Sequence, residues 1–273
     1  MTDIDHAAYL DAKRGLDDRS LNRDVLRAFA DALPPEPTVL EVGAGTGTMV
    51  QRLHEWGVIN AGRWVAVDTH EGAIRAGRKR IASHPDGSVD ESAGGGGATV
   101  RLGEFTIDFR VADAFEYAAS TDESFDAVVG CAFFDVVDAA PAVERLGAVA
   151  PLAYAPITYD GETTLSPADP GDEAVFDAYH RHMRAYRPGG PEGSAALARA
   201  AESIVADGPS PWVIEPPYDT DDETVLAHLL DTIETSVGET GHDAGDWASR
   251  RRATMAAGDL TYRARNRDLL VRL

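Results

Sequence analysis

Three glycines at alternate positions, Gly43, Gly45 and Gly47, follow the short run Thr38-Val39-Leu40-Glu41-Val42 and precede Thr48-Met49-Val50, where a helical pattern begins. Such a loop turns sharply and sits against a ligand with no Cβ in the way. The helix that follows points free N–H groups at whatever lies in the turn. Glu41 closes the strand, and a carboxylate there suits a ligand carrying hydroxyls or an ammonium better than one carrying phosphates. A dinucleotide loop has the spacing G-x-G-x-x-G, its third glycine serving close helix–strand packing. Here the spacing is G-x-G-x-G, and Thr48 stands where that third glycine would be.

Further acids follow in order. Arg63-Trp64-Val65-Ala66-Val67-Asp68 reads as a second strand ending in an acid, with Thr69 next. Phe105 to Val111 alternates apolar and polar residues and runs into Ala112-Asp113-Ala114-Phe115. Phe125-Asp126-Ala127-Val128-Val129-Gly130-Cys131 reads as a further strand, entered through a Phe-Asp pair. Asp68 alone would also suit a nicotinamide ribose. Taken together over residues 38 to 160, the four landmarks resemble the class I S-adenosylmethionine (SAM)-dependent methyltransferases, with Gly43 to Thr48 similar to their motif I.

The resemblance implies roles. Asp68 would accept hydrogen bonds from the ribose hydroxyls of SAM, and Asp113 would bind the adenine amino group. Glu41, Gly43, Ala44, Gly45, Gly47, Thr69, Ala114 and Cys131 would complete the cofactor contacts. It also implies the fold: an α/β, doubly wound, Rossmann-like sheet of strand order 3-2-1-4-5-7-6, mostly parallel with one antiparallel strand near the edge. Residues 1–273 would be a single domain, with 1–35 a helical lid, 36–160 the SAM-binding core, and 161–273 the substrate-region insertions and last two strands.

Methyl transfer from a sulfonium is an in-line displacement, which requires alignment and exclusion of water. A base is needed only if the nucleophile carries a proton that must leave. No metal is expected. Acceptor contacts should come from loops after strands 4, 5 and 6, where ligands of open α/β sheets bind. The Asn/Asp-Pro-Pro-aromatic motif of amine methylation on bases is missing after strand 4, where Cys131-Ala132-Phe133-Phe134-Asp135 stands. Glu215-Pro216-Pro217-Tyr218 looks similar but falls too far along, and reads as a turn whose Tyr218 could line a pocket. Phe176, Tyr179, His180 and Met183 form one helical stripe, so His180 faces inward. It is the first choice for a base, since neutral imidazole takes a proton near pH 7, with Tyr159 beside it; a satisfied core histidine is the plainer reading. His180 and His182 point about 200° apart on a helix and cannot share a metal. Tyr159, Tyr179 and Trp212 would supply an aromatic wall. The expected function is methylation of a small organic acceptor in a closed aromatic pocket. A protein or RNA acceptor, or a non-catalytic SAM-binding module, remain alternatives, with a dehydrogenase behind them.

The elements that must position these residues are legible in outline. Leu21, Val25, Phe29 and Leu33 mark one apolar helix face, with Ser20 as its N-cap and Pro34-Pro35 as its stop. On the lid, Tyr9, Lys13, Asp18, Arg19 and Asn22 would face the site or form a solvated surface. Helices are expected from the glycine loop to His54, over 71–83, 138–149, 174–186, 222–237 and 246–257. Pro85 to Ser88 and Gly94 to Gly97 read as an exposed insertion spanning 85–98. The fifth strand is expected over 152–159, an insertion over 160–210, the sixth strand over 210–215 and the last over 260–271.

Composition sets the remaining limits. There are 25 basic and 46 acidic residues, a formal net charge of −21, and Lys13 and Lys79 are the only lysines. A surface this acidic fits a salt-rich cytoplasm, where screening shortens self-repulsion. It argues against nucleic acid, since phosphate binding needs a basic surface. The one dense basic run, Arg250-Arg251-Arg252, reads as a solvated helix face. With Cys131 as the only cysteine there is no internal disulfide, and it reads as a small packed residue beside the cofactor rather than a nucleophile. Met1 to His6 has no signal-peptide pattern and no apolar run approaches ~18 residues, so a cytoplasmic protein without a membrane span is expected.

Overall fold

The computed structural model describes residues 6–89 and 99–273. Helices α1 (His6–Ser20) and α2 (Arg23–Asp31) precede the first strand. The break between them falls at Asn22, an extended residue whose side chain accepts from the N–H groups of Asp24 and Val25. Ser20 does not cap α2 as expected; its hydroxyl donates back to Leu16 O at 2.7 Å and closes α1.

Alternating strands and helices then build the sheet. In chain order these are β1 (Thr38–Val42), α3 (Thr48–Glu55), β2 (Ala61–Asp68), α4 (Glu71–Ala82), β3 (Gly87–Val89), β4 (Thr99–Leu102) and β5 (Glu104–Val111), followed by α5 (Ala114–Ser120), β6 (Ala127–Val129) and α6 (Ala139–Gly147). The second half holds β7 (Leu152–Ser166), α7 (Asp172–Tyr186), α8 (Gly193–Ala200), β8 (Ser203–Pro209), β9 (Trp212–Ile214), α9 (Thr220–Glu239), α10 (Gly245–Ala256) and β10 (Thr261–Arg272). The described residues form one ten-stranded sheet of order β3-β4-β5-β2-β1-β6-β7-β10-β8, with β9 also paired to β10. The run β5-β2-β1-β6-β7 is parallel. It is the expected mixed α/β Rossmann-like sheet, and its order differs in detail from the expected one.

Three differences have physical causes. An antiparallel hairpin, β3–β4, extends the β5 edge, so antiparallel pairing is not confined to one strand. Gly87 to Val89 is therefore strand rather than loop, while Gly94 to Gly97 lie outside the described residues. The place of the sixth strand is held by Ser203–Pro209, and the Trp212 segment pairs instead with the start of β10. β8 is mostly exposed, so its face lacks the apolar alternation that marks a strand in sequence. Third, β7 does not stop at Tyr159 but runs to Ser166, paired along its length with β10.

The sheet is covered on both sides. Phe29, Leu53, Trp64 and Phe105 pack on the α2–α3–α4 side, while Leu40, Val42, Leu146 and Leu197 pack on the α5–α6–α8 side. A third cluster joins the β7–β10 extension to α1, α7, α9 and α10 through Leu16, Met183, Leu226, Trp247 and Tyr262. The basic run on α10 helps tie this cluster down rather than facing solvent. Arg250 pairs with Asp169 at 2.7 Å, Arg251 is buried against Asp172 and Pro167 O, and Arg252 reaches Asp231 and Glu234. Among the described residues no helix is long and apolar enough to cross a membrane.

Candidate active site

The glycine loop forms where β1 hands over to α3. Gly43, Gly45 and Gly47 have φ of 61°, 55° and 67°, conformations that side-chain-bearing residues rarely adopt. They serve different ends. A Cβ on Gly47 would come within 2.8 Å of the Phe109 ring, so Gly47 lets the helix pack on the sheet and does not face the cavity. A Cβ on Gly45 would come within 2.9 Å of Leu10 on α1, and both residues line the cavity. Ala44 is buried and donates its N–H to Val67 O at 3.0 Å.

Asp68, at the end of β2, lines the cavity too. One of its oxygens accepts the Gly45 N–H at 2.8 Å and the other the His70 N–H at 2.7 Å. The carboxylate thus pins the glycine loop while facing the opening. Glu41 is buried below the loop, where its Oε2 accepts the Trp64 indole N–H at 2.6 Å. Burial pushes it up to about 7. Asp113 caps α5, accepting from Phe115 and Glu116 N–H groups. Asp113, Ala114, which is buried, and Thr69, which is exposed, all stand outside the cavity.

A single cavity of about 490 Å³ runs from Gly43, Gly45 and Asp68 to the β7–β10 extension. Its back wall is one face of that ribbon. Tyr159 stands opposite Asn266, Thr163 opposite Ala264, and Leu165 opposite Tyr262, and directly opposed residues of an antiparallel pair share a face. Two bulges bring this about. Pro156 and Ile157 oppose Asp268 alone, and Asp160 and Gly161 have no residue of β10 directly opposite them. The first bulge holds Ile157 at φ 54°, an uncommon conformation for a β-branched residue. Asp268, fully buried, accepts the Ile157 N–H at 2.8 Å and the Asn22 N–H at 2.8 Å, with Tyr154 Oη at 3.3 Å. The extra residue reverses the alternation and turns Tyr159 toward the cavity.

The other walls come from α1 (Tyr9, Leu10, Lys13), the turn after β6 (Cys131, Phe133, Asp135), α7 with its C-cap (Tyr179, Met183, Arg187), Trp212, and α9 (His228, Thr232). Of the lid candidates, Tyr9 and Lys13 face the cavity. Lys13 pairs with buried Asp17 at 3.0 Å and lies 5.3 Å from the Trp212 ring centre. Burial works against its charge, but Asp17 more than compensates and raises its pKa. Asp18 pairs with Arg52 and Arg19 with Asp222, so these two tie elements together instead. Cys131 borders the cavity as a thiol, pushed up to about 12 by burial.

His180 is half-buried and does not line the cavity. Its Nε2 lies 3.0 Å from Tyr159 Oη, which is also 2.9 Å from Thr163 Oγ1. Burial and then Arg184 lower the His180 pKa, favouring neutral imidazole, and burial raises that of Tyr159. The hydrogen bond thus joins two neutral groups, its direction set by the imidazole tautomer, and the tyrosine stands between the histidine and the cavity. Tyr218 braces β10 instead, accepting the Leu260 N–H at 3.0 Å. Sequence reasoning passed over Arg187, His228, Tyr262 and Asn266, each on an element whose orientation only the fold supplies.

The loop, the strand-end acid and the fused cavity lie within or beside a segment that a family model recognises: residues 40–146 match the methyltransferase domain. Among solved structures the chain is similar to a SAM-dependent methyltransferase from Geobacter sulfurreducens in complex with S-adenosyl-L-homocysteine, at 11% identity over 93% of each chain with a TM-score of 0.46. Another, from Thiobacillus denitrificans, is 13% identical over 91% of this chain and 92% of its own, with a TM-score of 0.45. The cyclopropane synthase MmaA2 from Mycobacterium tuberculosis is 11% identical over 100% of this chain and 87% of its own, also at 0.45. No curated protein matches the chain. In this chain the matched segment supplies the glycine loop and Asp68, whereas β7, α7, α9 and β10, which complete the cavity, lie beyond it.

Proposed function

We propose that this methyltransferase transfers the methyl group of SAM to a small organic acceptor, bound against the aromatic face of the β7–β10 ribbon. The observation that carries this reading is the continuity of one cavity from the glycine loop to Tyr159, Tyr179, Trp212 and Tyr262. A concave site with several aromatic side chains in its walls suits a small organic molecule better than a protein or RNA chain. The residues present fit SAM. Gly43 and Gly45 leave backbone where a side chain would intrude, and Asp68 offers carboxylate oxygens suited to ribose hydroxyls and unsuited to phosphate. Asn266 lines the same cavity, is 4% exposed, and has an Nδ2 with no partner among the described residues, which a polar ligand atom would satisfy.

SAM, when bound, supplies a methyl group on an electrophilic sulfonium. The chain's own residues orient the acceptor and exclude water. Leu10 and Tyr9 close the cavity over the glycine loop, and the ribbon aromatics flank the acceptor. Tyr159 is the contact residue on this reading. His180 acts through it, holding the phenol in place and taking a proton only by way of Tyr159 Oη. Asp113 would hold the adenine amino group, which calls for the cofactor to reach past Phe133. The compartment proposed is a salt-rich cytoplasm, from the acidic composition.

The test is thermal denaturation in molar KCl with S-adenosylhomocysteine, NAD or NADP. A ligand that binds only the folded state raises the midpoint. S-adenosylhomocysteine should do so and the nicotinamide cofactors should not; a response to NAD alone would overturn the reading.

A further inference from the structure

Asp135 is a buried carboxylate that the cofactor reading does not use. It follows β6 in the turn that opens the acceptor half of the cavity, and it lines that cavity. It is 8% exposed, and its Oδ1 has no hydrogen-bond partner among the described residues. No cation lies within 4 Å of it among those residues, although this chain pairs many of its other buried acids. Asp17 has Lys13, and Asp108 has Arg63 at 2.8 Å. Its position is fixed from behind: a Cβ on Gly189 would meet Asp135 backbone at 2.6 Å, and one on Gly193 would meet its Cα at 2.8 Å. Two glycines thus let the loop after α7 close onto this residue.

An unpaired carboxylate in such a place costs free energy unless something compensates it. Burial pushes Asp135 up to about 6, opposed by its own backbone N–H, then Arg187 and Lys13. The cavity it lines also carries six aromatic side chains, Tyr9, Phe133, Tyr159, Tyr179, Trp212 and Tyr262. Aromatic faces beside a desolvated carboxylate attract a cation and disfavour an anion. Lys13 is engaged by Asp17, and Arg187, at the half-exposed end of α7, makes no ion pair with Asp135.

We infer that the acceptor is an organic amine, bound as its ammonium to Asp135 within the aromatic walls and giving one proton to that carboxylate before the freed nitrogen lone pair takes the methyl group from the sulfonium. This rests on the methyltransferase reading above and narrows its substrate class. The sulfonium of SAM is the other cation that such a carboxylate could serve, and the test separates the two.

Three matched sets of probes are titrated into the S-adenosylhomocysteine-loaded protein: benzylamine, 2-phenylethylamine and 3-phenylpropylamine, their alcohols, and the corresponding carboxylates. At least one amine should bind tenfold or more tightly than its alcohol, with the carboxylates weaker still. Asp135→Asn, which keeps the side chain's shape, should erase that preference while leaving affinity for S-adenosylhomocysteine within about twofold, which also reports that the variant is folded. If Asp135→Asn disturbs folding, the wild-type ranking of amine, alcohol and carboxylate still decides. Carboxylates binding best, or amines never exceeding their alcohols, would overturn the proposal. So would a variant that keeps the preference, or one that weakens SAM tenfold more than S-adenosylhomocysteine, which would give Asp135 to the sulfonium. Absence of any response to S-adenosylhomocysteine would instead remove the cofactor reading.

Discussion

Glu41 is buried with an indole N–H as its hydrogen-bond partner, so its ionisation is tied to folding. Its folded pKa, pushed up to about 7 by burial, lies above that of an unfolded glutamate near 4.5. A raised carboxyl contributes stability below the unfolded value and loses it as pH rises through the folded one. Between pH 4.5 and 7 this one group should therefore lower stability by up to ~3 kcal/mol, because each tenfold difference in proton affinity between the two states is worth ~1.4 kcal/mol. Glu41→Gln should flatten that part of the curve, read as urea midpoints across pH 4.5 to 8; an unchanged slope would mean that Glu41 is not the group titrating. Asp68 poses a different question, because it both faces the ligand and pins Gly45. Asp68→Ala should weaken S-adenosylhomocysteine by roughly 1.5–3 kcal/mol, and Gly45→Val at least as much, since the new side chain meets Leu10 at φ 55°. Calorimetric titration with unchanged affinity in either would move the cofactor site. Tyr159 and His180 are ordered by their geometry. Tyr159→Phe should cost at least as much kcat as His180→Ala, within the ~10²–10⁴ range of a proton-transfer group. A larger loss for His180→Ala would return the histidine to direct contact.

At the scale of elements, the ribbon decides what the cavity is. The sequence reads Leu152 to Tyr159 as a strand and starts an insertion at Asp160-Gly161, a pair whose local preference is for turns. The strand instead absorbs those residues as a bulge and continues, because β10 offers a partner to Ser166. Neither bulge leaves a periodic mark, so the facing of Tyr159, Thr163 and Asn266 was not legible. The glycine loop, Asp68 and the β–α alternation were, because each rests on local pattern: positive-φ glycines, a strand-end acid, buried apolar runs. The division between Gly45 at the cavity and Gly47 in the packing was not, since spacing alone treats them alike. Asp268 holds the first bulge. Asp268→Asn would turn an amide toward N–H groups that need acceptors, so stability should fall by about 2–3 kcal/mol. In chemical denaturation the midpoint should drop, and any substrate-dependent activity should fall with it as Tyr159 loses its aim. A stable variant with native activity would show that the bulge is held by pairing alone.

For the whole molecule the governing quantity is charge. The net −21 is spread over a protein whose cations are largely committed to bonds between elements. Arg19 joins α1 to α9, Arg63 joins β2 to β5, and Arg250 and Arg252 tie α10 to its neighbours. What is left on the surface is mainly negative, and its self-repulsion is long-ranged when salt is scarce. The screening length is ~3 Å at molar salt and ~30 Å at 0.01 M. Two effects then oppose each other as salt falls: the inter-element pairs strengthen, and the excess carboxylates repel. Exposed pairs contribute at most about 1 kcal/mol each, and the partly buried ones are screened little at any salt, so the repulsion should win. The thermal midpoint should therefore decline steadily as KCl is reduced from molar to ~0.01 M. A midpoint independent of KCl, or one that rises as KCl is withdrawn, would mean that the Arg–carboxylate ties outweigh the repulsion and that the acidic surface is not an adaptation to salt.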